Sequence, residues 1–375
     1  MTQLAAVILA AGLSSRMGAF KPLLPLGAGT VLSRCIELFR QNGIGRIVVV
    51  TGKRSEEVAS AARRAGAIPV HNSCFEQGMF SSVLTGVGSL GAGFSGFFML
   101  PVDIPLVRPQ TVTRLVHAFE ENRATIIYPR FQGKRGHPPI ISRELVPDIL
   151  AHDGQGGLRA LLDTHESVAW DLDVADAGVL KDLDHPMDYD FAKLRVGTDY
   201  PFPEEWEQLW DIYSLSREIR EHCRAVASVG AAICDRLNAV RPYEKRLNPA
   251  LVIGAAMVHD IAKGRKQHDA VGDLWLKEHG FRAAARIVRE HSDLLLEAQD
   301  PVTEKEIVFL ADKLVQGTSF VPLNTRYEVK LARFGETDVV RRAIRARQER
   351  ANEVLRRIES ESGVGLEQLA GELFG

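Results

Sequence analysis

Leu9-Ala10-Ala11-Gly12-Leu13-Ser14-Ser15-Arg16-Met17-Gly18-Ala19-Phe20-Lys21-Pro22 decides how the first half of this chain folds. The apolar run Leu4 to Leu9 before it reads as a strand covered on both faces, the usual state of a parallel sheet. The small residues that follow let the backbone turn tightly and present its N–H groups. Arg16 and Lys21 bring fixed positive charge to the same place. Amide donors and cations together suit a polyphosphate, and glycine allows oxyanions to approach closely. A turn that is merely basic would have the same composition, so the surroundings must choose. Gly52-Lys53 offers no Walker-type loop: Arg54 stands where Ser or Thr is needed, and Ile47 where Gly is needed.

Working outward, Val31 to Phe39 has helix-period apolar residues, and Arg46 to Thr51 reads as a second buried strand. A helix over 55–65 and a short strand around Ile68-Pro69-Val70 follow. Such alternation predicts an α/β domain with a mostly parallel, Rossmann-like sheet and helices on both faces. Ligands of such sheets bind beyond the C-terminal ends of the strands, where the opening loop would lie. Gly78-Met79-Phe80-Ser81-Ser82-Val83 opens another helix, and Phe97 to Leu106 is an apolar strand that runs into Asp103. A carboxylate there is costly unless it is paired or bound to a metal.

The pattern Leu-Ala-Ala-Gly-x-Ser-x-Arg-Met-Gly-x-x-Lys, continuing into Leu23-Leu24-Pro25-Leu26, resembles the signature of the MobA-like nucleotidyltransferases over roughly residues 1–195. Ala10-Ala11 is more similar to the molybdenum cofactor cytidylyltransferase branch than to the guanylyltransferase branch, which has Ala-Gly-Gly. The resemblance implies nucleotide contacts at Leu9, Ala10, Ala11, Gly12, Ser14, Arg16 and Lys21. It also implies a base contact at Ser82, although Ser81 and Ser82 equally suit a helix start. Asp103, in Leu-x-x-Asp-x-Pro-Leu, takes the role of binding the Mg2+ that bridges the nucleotide phosphates. His137, in Gly136-His137-Pro138-Pro139, becomes a substrate contact or else a turn histidine. Asp153 to Arg159 is similar to the family's glycine-rich segment before a helix. Asp184 is a second metal-ligand candidate, although His185 and Met187 depart from the family's Asp-Ile-Asp-Thr-Pro-Glu-Asp ending. Arg16, Lys21 and Asp103 would then carry the transfer, neutralising charge while an acceptor phosphate displaces pyrophosphate.

From Val196 to Glu205 the pattern breaks at Gly197 and Tyr200-Pro201-Phe202-Pro203, so 196–205 is taken as a linker. The remainder reads as all-α. Trp206 to Ile219 and His222 to Leu237 are predicted helices, the second with a core stripe at Val226, Val229, Ile233 and Leu237. Ala255 to Lys263 places His259 and Asp260 side by side near the end of an apolar helix, where a divalent metal would satisfy both. His222, then His259-Asp260, then Asp312 resembles the ligand order of the HD-domain metal-dependent phosphohydrolases, over 206–335. In that family histidines between the pair and the last Asp complete a second metal site, and His268 and His291 fit. Lys263 is a catalytic candidate that would steady a phosphate, and Arg326 a further phosphate contact. His279 and His185 receive no role. Residues 336–375 form a C-terminal helical extension, whose helix from Asp338 to Glu361 mixes Arg and Glu.

The chain has 375 residues, net charge −2 and pI near 6.6, which allows two or three domains and gives bulk charge no role at nucleic acid or membranes. Cys35, Cys74, Cys223 and Cys234 have no zinc-ribbon spacing and read as thiols of a reducing compartment. With no basic leader and no spanning apolar stretch, a cytoplasmic protein is expected. The expectation is thus a bifunctional enzyme. It would transfer a nucleotidyl group from an NTP, CTP by the resemblance, to a phosphorylated acceptor such as molybdopterin. Its HD half, with one or two divalent metals of unknown identity, would hydrolyse a phosphoester. The alternative is a sugar or alditol phosphate as acceptor, with the HD half as a nucleotide-binding regulatory module. A molybdoenzyme or a second copy of the chain is the expected protein partner.

Overall fold

The computed structural model describes residues 3–12, 17–122, 124–296, 301–363 and 365. The chain divides into two compact units, Met1–Thr198 and Asp199–Gly375.

In the first unit β1 (Leu4–Ala10), β2 (Arg46–Thr51), β3 (Ile68–His71), β4 (Gly96–Pro101), β5 (Ile126–Phe131), β6 (Lys134–Arg135), β7 (Ile140–Ser142) and β8 (Ala169–Asp173) form one sheet. Its order is β8-β5-β7-β4-β1-β2-β3, with β6 paired to β5. The β1–β2, β2–β3, β1–β4 and β5–β8 pairings are parallel, and only β6 and β7 run against their neighbours. Alternate residues of β1 enter opposite cores. Ala6, Ile8 and Ala10 join one, beside α1 (Val31–Arg40); Ala5, Val7 and Leu9 join the other, beside α3 (Met79–Gly88). This two-sided burial is why β1 is apolar throughout. At Gly86 a Cβ would lie 2.5 Å from a Val7 methyl, so glycine lets α3 settle onto β1.

The remaining helices of this unit are α2 (Ser55–Arg64), α4 (Pro109–Asn122), α5 (Val146–Ala151), α6 (Gly157–Asp163) and α7 (Pro186–Arg195). The order of the strands reverses at β1: β2 and β3 are added on one side, β4 on the other. The crevice at such a switch point opens between the loops after β1 and β4, and these loops hold Gly12 and Asp103.

The second unit is helical: α8 (Pro203–Ile212), α9 (Arg217–Val240), α10 (Pro249–Val258), α11 (His268–Glu278), α12 (Arg282–Glu290), α13 (Glu304–Leu314), α14 (Leu323–Phe334) and α15 (Asp338–Ser362). A two-stranded ribbon, Val315–Gln316 with Ser319–Phe320, interrupts it after α13, which periodicity did not foretell. The first two helices also divide differently from the reading of the sequence. α8 stops at Ile212, Ser214 adopts φ 53°, and Ser216 caps α9, so Ile219 lies in the same helix as His222. α9, α10, α12 and α13 pack together around a core that includes Val226, Ile233, Val252, Ala255, Ile307 and Phe309. The charged α15 also buries one side, Ile344, Ala351, Val354 and Ile358, against its neighbours. Among the described residues, no helix is long and apolar enough to cross a membrane.

Candidate functional site

Two sites emerge, one in each unit. In the first, a cleft of about 400 Å³ lies at the switch point and is lined by Leu9, Ala11, Gly12, Lys21, Ser82, Asp103 and Asp184 among others. Ser14 and Arg16 lie outside the described residues. The methyl of Ala10 belongs to the core on one face of the sheet, so this residue can serve a ligand only through its backbone. Gly52 has its own steric reason: a Cβ would stand 2.7 Å from the carbonyl oxygen of Ala11, so glycine lets the β2 loop press against the opening loop.

The charged groups of this cleft converge from three loops. Lys21 Nζ lies 2.8 Å from Asp184 Oδ1 and 3.5 Å from Asp103 Oδ2. The Leu183 amide donates to the Asp103 carbonyl at 2.8 Å, which joins the two acidic loops. The carboxylates remain about a third exposed, at 30% and 31%, while the lysine side chain is 9% exposed. Two carboxylates that already share one cation are a donor set that fits a hard divalent ion such as Mg2+. Ser82 is buried, and its Oγ accepts a 2.9 Å hydrogen bond from Asn72 Nδ2, which also reaches Ser81 Oγ at 2.9 Å. Asn72 was missed from the sequence. Its only local signal is its position just past the end of β3.

Next to this cleft, and sharing Leu9, Met79 and Pro101 with it, lies a larger one of about 780 Å³. His137 lines it on one side and Tyr128, with Arg135 stacked 4.4 Å above its ring, on another. Burial lowers the His137 imidazole below its usual value, and its Nδ1 is buried without a partner. It is therefore a neutral ring near neutral pH. Lys134 and Arg159 stand exposed at the rim, while Phe80, Val83, Met99 and Leu162 make the wall apolar.

The second site brings His222, His259, Asp260, His268, His291 and Asp312 together from α9, the end of α10, α11, the end of α12 and α13. Asp260 sits between two groups. Its Oδ2 lies 3.8 Å from His222 Nε2 and 3.6 Å from His259 Nε2, and Asp312 Oδ1 is 3.3 Å and 3.6 Å from the same nitrogens. Its Oδ1 lies 3.6 Å from both His268 Nε2 and His291 Nε2. Three rings are turned inward by the backbone. Their Nδ1 atoms meet the carbonyls of Gly317 (His222, 3.0 Å), Ala256 (His259, 2.7 Å) and Val288 (His291, 2.6 Å). A ring whose Nδ1–H donates to a carbonyl presents the Nε2 lone pair to the centre, the tautomer that binds a metal.

This cluster satisfies itself poorly without a cation. His259 Nε2 and Asp260 Oδ1 are fully buried and have no hydrogen-bond partner. Burial opposes charge on His259, yet the Asp260 carboxylate beside it holds the imidazole well above its usual value. Burial likewise favours neutral Asp312, but Lys313, His222 and His259 hold it well below the usual carboxylate range. Buried carboxylates surrounded by imidazole nitrogens fit one or two divalent metals. Lys263 Nζ bonds Asp260 Oδ2 at 2.8 Å, so it grips a ligand of the centre directly. Arg326 Nη2 lies 3.9 Å from Asp312 Oδ1, and its Nη1 donates to the Val315 carbonyl. Lys313, Lys330 and Arg347 share the cleft and were missed, because nothing local marks an α13–α15 cation as facing a metal centre. His279 is instead a core residue, with Nε2 3.2 Å from the Tyr213 hydroxyl, and His185 precedes α7.

Comparison with known proteins identifies the two domains that carry these clusters. Residues 6–168 match the model of the MobA-like NTP transferase domain, and residues 219–316 that of the HD domain. The molybdenum cofactor cytidylyltransferase of Escherichia coli K12 is 30% identical over 198 residues, which are 52% of this chain and 98% of that protein. A bifunctional GlmU protein of Geobacter sulfurreducens is 34% identical over 146 residues, 38% of this chain and 30% of its own length. The crystal structure of Rv0371c from Mycobacterium tuberculosis superposes with a TM-score of 0.46 at 27% identity, over 52% of this chain and 98% of that one. A relative aligned over nearly its whole length at this identity leaves one conclusion: the chain belongs to the MobA-like NTP transferase family, is an enzyme, and carries an HD domain C-terminal to its nucleotidyltransferase half.

Proposed function

We propose that the first unit transfers a cytidylyl group from CTP to the phosphate of molybdopterin, and that the HD unit hydrolyses a phosphoester. The observation that carries the first part is the pair of joined clefts, one acidic and cationic at the switch point, the other broad, apolar and rimmed by basic groups. A fused heterocycle bearing a phosphate has the shape and polarity of the second cleft. A small alditol phosphate would leave much of its apolar wall uncovered. The name of the E. coli relative supports the choice of both substrates.

In this reading an acceptor phosphate oxygen attacks the α-phosphorus while the bond to the β-phosphate oxygen breaks, and no protein nucleophile takes part. The protein positions the two phosphates in line and compensates charge. Lys21 offers its ammonium to the departing pyrophosphate, with Arg16 as a second cation. Ser82, oriented by Asn72, contacts the nucleoside. Neutral His137 can give or accept one hydrogen bond from the acceptor without adding charge. Asp103 and Asp184 would hold Mg2+, which when bound neutralises phosphate oxygens and withdraws electron density from phosphorus. His222, His259, Asp260 and Asp312, with His268 and His291 on the second side, would hold the HD metals, which supply an activated water.

Incubating the whole protein with Mg2+, each NTP and candidate acceptors, and following pyrophosphate, tests the transfer. CTP with molybdopterin is expected to be the preferred pair; equal use of GTP would end the cytidylyl reading. Phosphomonoester hydrolysis by the whole protein and its His259→Ala variant tests the second part. Equal rates would make the HD unit a binding module instead.

A further inference from the structure

The HD cleft has a volume of about 430 Å³, larger than a metal centre and a single phosphate require. Its metal-facing floor is charge-balanced within itself: Lys263 pairs with Asp260 at 2.8 Å and Lys313 with Asp312 at 2.7 Å. Three further cations line the same cleft, Arg326 and Lys330 of α14 and Arg347 of α15, and of these Arg326 Nη2 stands 3.9 Å from Asp312 Oδ1. Lys330 is half-buried and has no carboxylate partner among the described residues. Its Nζ instead stands 5.5 Å over the Tyr327 ring. Arg326 Nε is buried without a hydrogen-bond partner. Arg347 reaches Asp293 at 3.2 Å, but Arg350 takes the other oxygen of that carboxylate at 2.5 Å. All three cations lie beyond residue 316, where the match to the HD domain ends.

A half-buried lysine left without a counter-charge beside two arginines is unfavourable in the free protein. Burial, then Arg326 and Lys313, push its ammonium down to about 8. A dianion placed among these groups would relieve that cost, whereas Lys263 and Lys313 at the metal-facing floor already have carboxylate partners.

We infer that the HD cleft takes a substrate carrying two phosphates: one is presented to the metal centre, and the other is held by Lys330, Arg326 and Arg347. This rests on the hydrolytic role proposed above for the HD unit. Lys330 is here a specificity residue, since it touches the phosphate that is not cleaved.

The test uses the whole chain in a Lys21→Met background, so that the transferase cleft loses the cation assigned to pyrophosphate, loaded with Mn2+. Inorganic phosphate and methylenediphosphonate serve as one-phosphate and two-phosphate probes in calorimetric titrations. The two-phosphate probe is expected to bind at least ~10-fold more tightly, the worth of one charge-assisted contact. Lys330→Met should abolish that advantage, leaving phosphate affinity, metal content and melting temperature unchanged. Arg347→Gln, on the half-exposed side, should remove part of it. Equal affinity of the two probes, or an equal loss for both in Lys330→Met, would overturn the inference. Absence of phosphomonoester hydrolysis, with the Lys330-dependent advantage intact, would support the two-phosphate pocket and sink the hydrolytic reading alone.

Discussion

In the function proposed above the two sites share one task, holding phosphate oxygens against a cation, and they meet it with opposite degrees of burial. In the transferase cleft the acidic groups sit on loops, about 30% exposed, and share the Lys21 ammonium. In the HD centre the ligands hang from five helices, and His259, Asp260 and His291 are at most 2% exposed. Exposed carboxylates are solvated by water and can wait for a cation that arrives with the nucleotide. Buried imidazoles and carboxylates cannot, because their solvation has been removed. If the two sites hold cations as proposed, the first is expected to exchange its metal and the second to keep it.

The largest expected effect separates them directly. Asp260→Asn removes the one carboxylate common to both histidine groups, so both metal equivalents should vanish from elemental analysis. Thermal unfolding should report a destabilisation of ~3–5 kcal/mol, the usual cost of breaking a buried charged set. Asp103→Asn should do the reverse, lowering the transfer rate by ~10²–10³ while stability moves by less than ~1 kcal/mol. A large stability loss in Asp103→Asn, or none in Asp260→Asn, would erase the contrast.

A finer division lies inside the HD centre. His222→Ala should weaken the group shared with His259 and Asp312, and His268→Ala the group shared with His291. Each variant is expected to lose one metal equivalent of two. Loss of both in either variant would mean a single centre.

A smaller effect concerns pH. Lys330 faces Arg326, Lys313, Arg347 and Asp312, and burial followed by the first two lowers its ammonium to about 8. Below that pH it is charged, and above it becomes neutral. The two-phosphate advantage should therefore fade as pH rises through about 8 and beyond, and Lys330→Met should show no such decline. The smallest effect belongs to the Arg130–Asp173 pair across β5 and β8, at 2.7 Å but 36% and 42% exposed. Arg130→Ala should cost less than ~1 kcal/mol in chemical denaturation and less still in high salt.

Much of the local structure was legible in the chain. Strands with apolar runs and helices with a 3.6-residue stripe depend on neighbours a few residues away, so α1, β2 and the stripe of α9 follow from pattern. The break between α8 and α9 was misplaced because it turns on Ser214 and the Ser216 cap, a signal weaker than the apolar period around it. The ordered set His222, His259-Asp260, Asp312 was readable as a list of candidate ligands. That Asp260 offers one oxygen to each of two groups was not.

By itself, then, the sequence determined the two-part architecture, the glycine-containing loop after β1 and the kinds of donor available for phosphate and metal. These are written in short-range patterns of residue type. Only the tertiary structure decided which donors meet. Lys21 lies 163 positions from Asp184, and His222 lies 90 from Asp312, yet each pair comes within 3.3 Å. Lys330 and Arg347 likewise gain their meaning from helices that pack across a cleft. Contacts at such separations are set by how whole elements bury their apolar faces, and no local period of the chain encodes them.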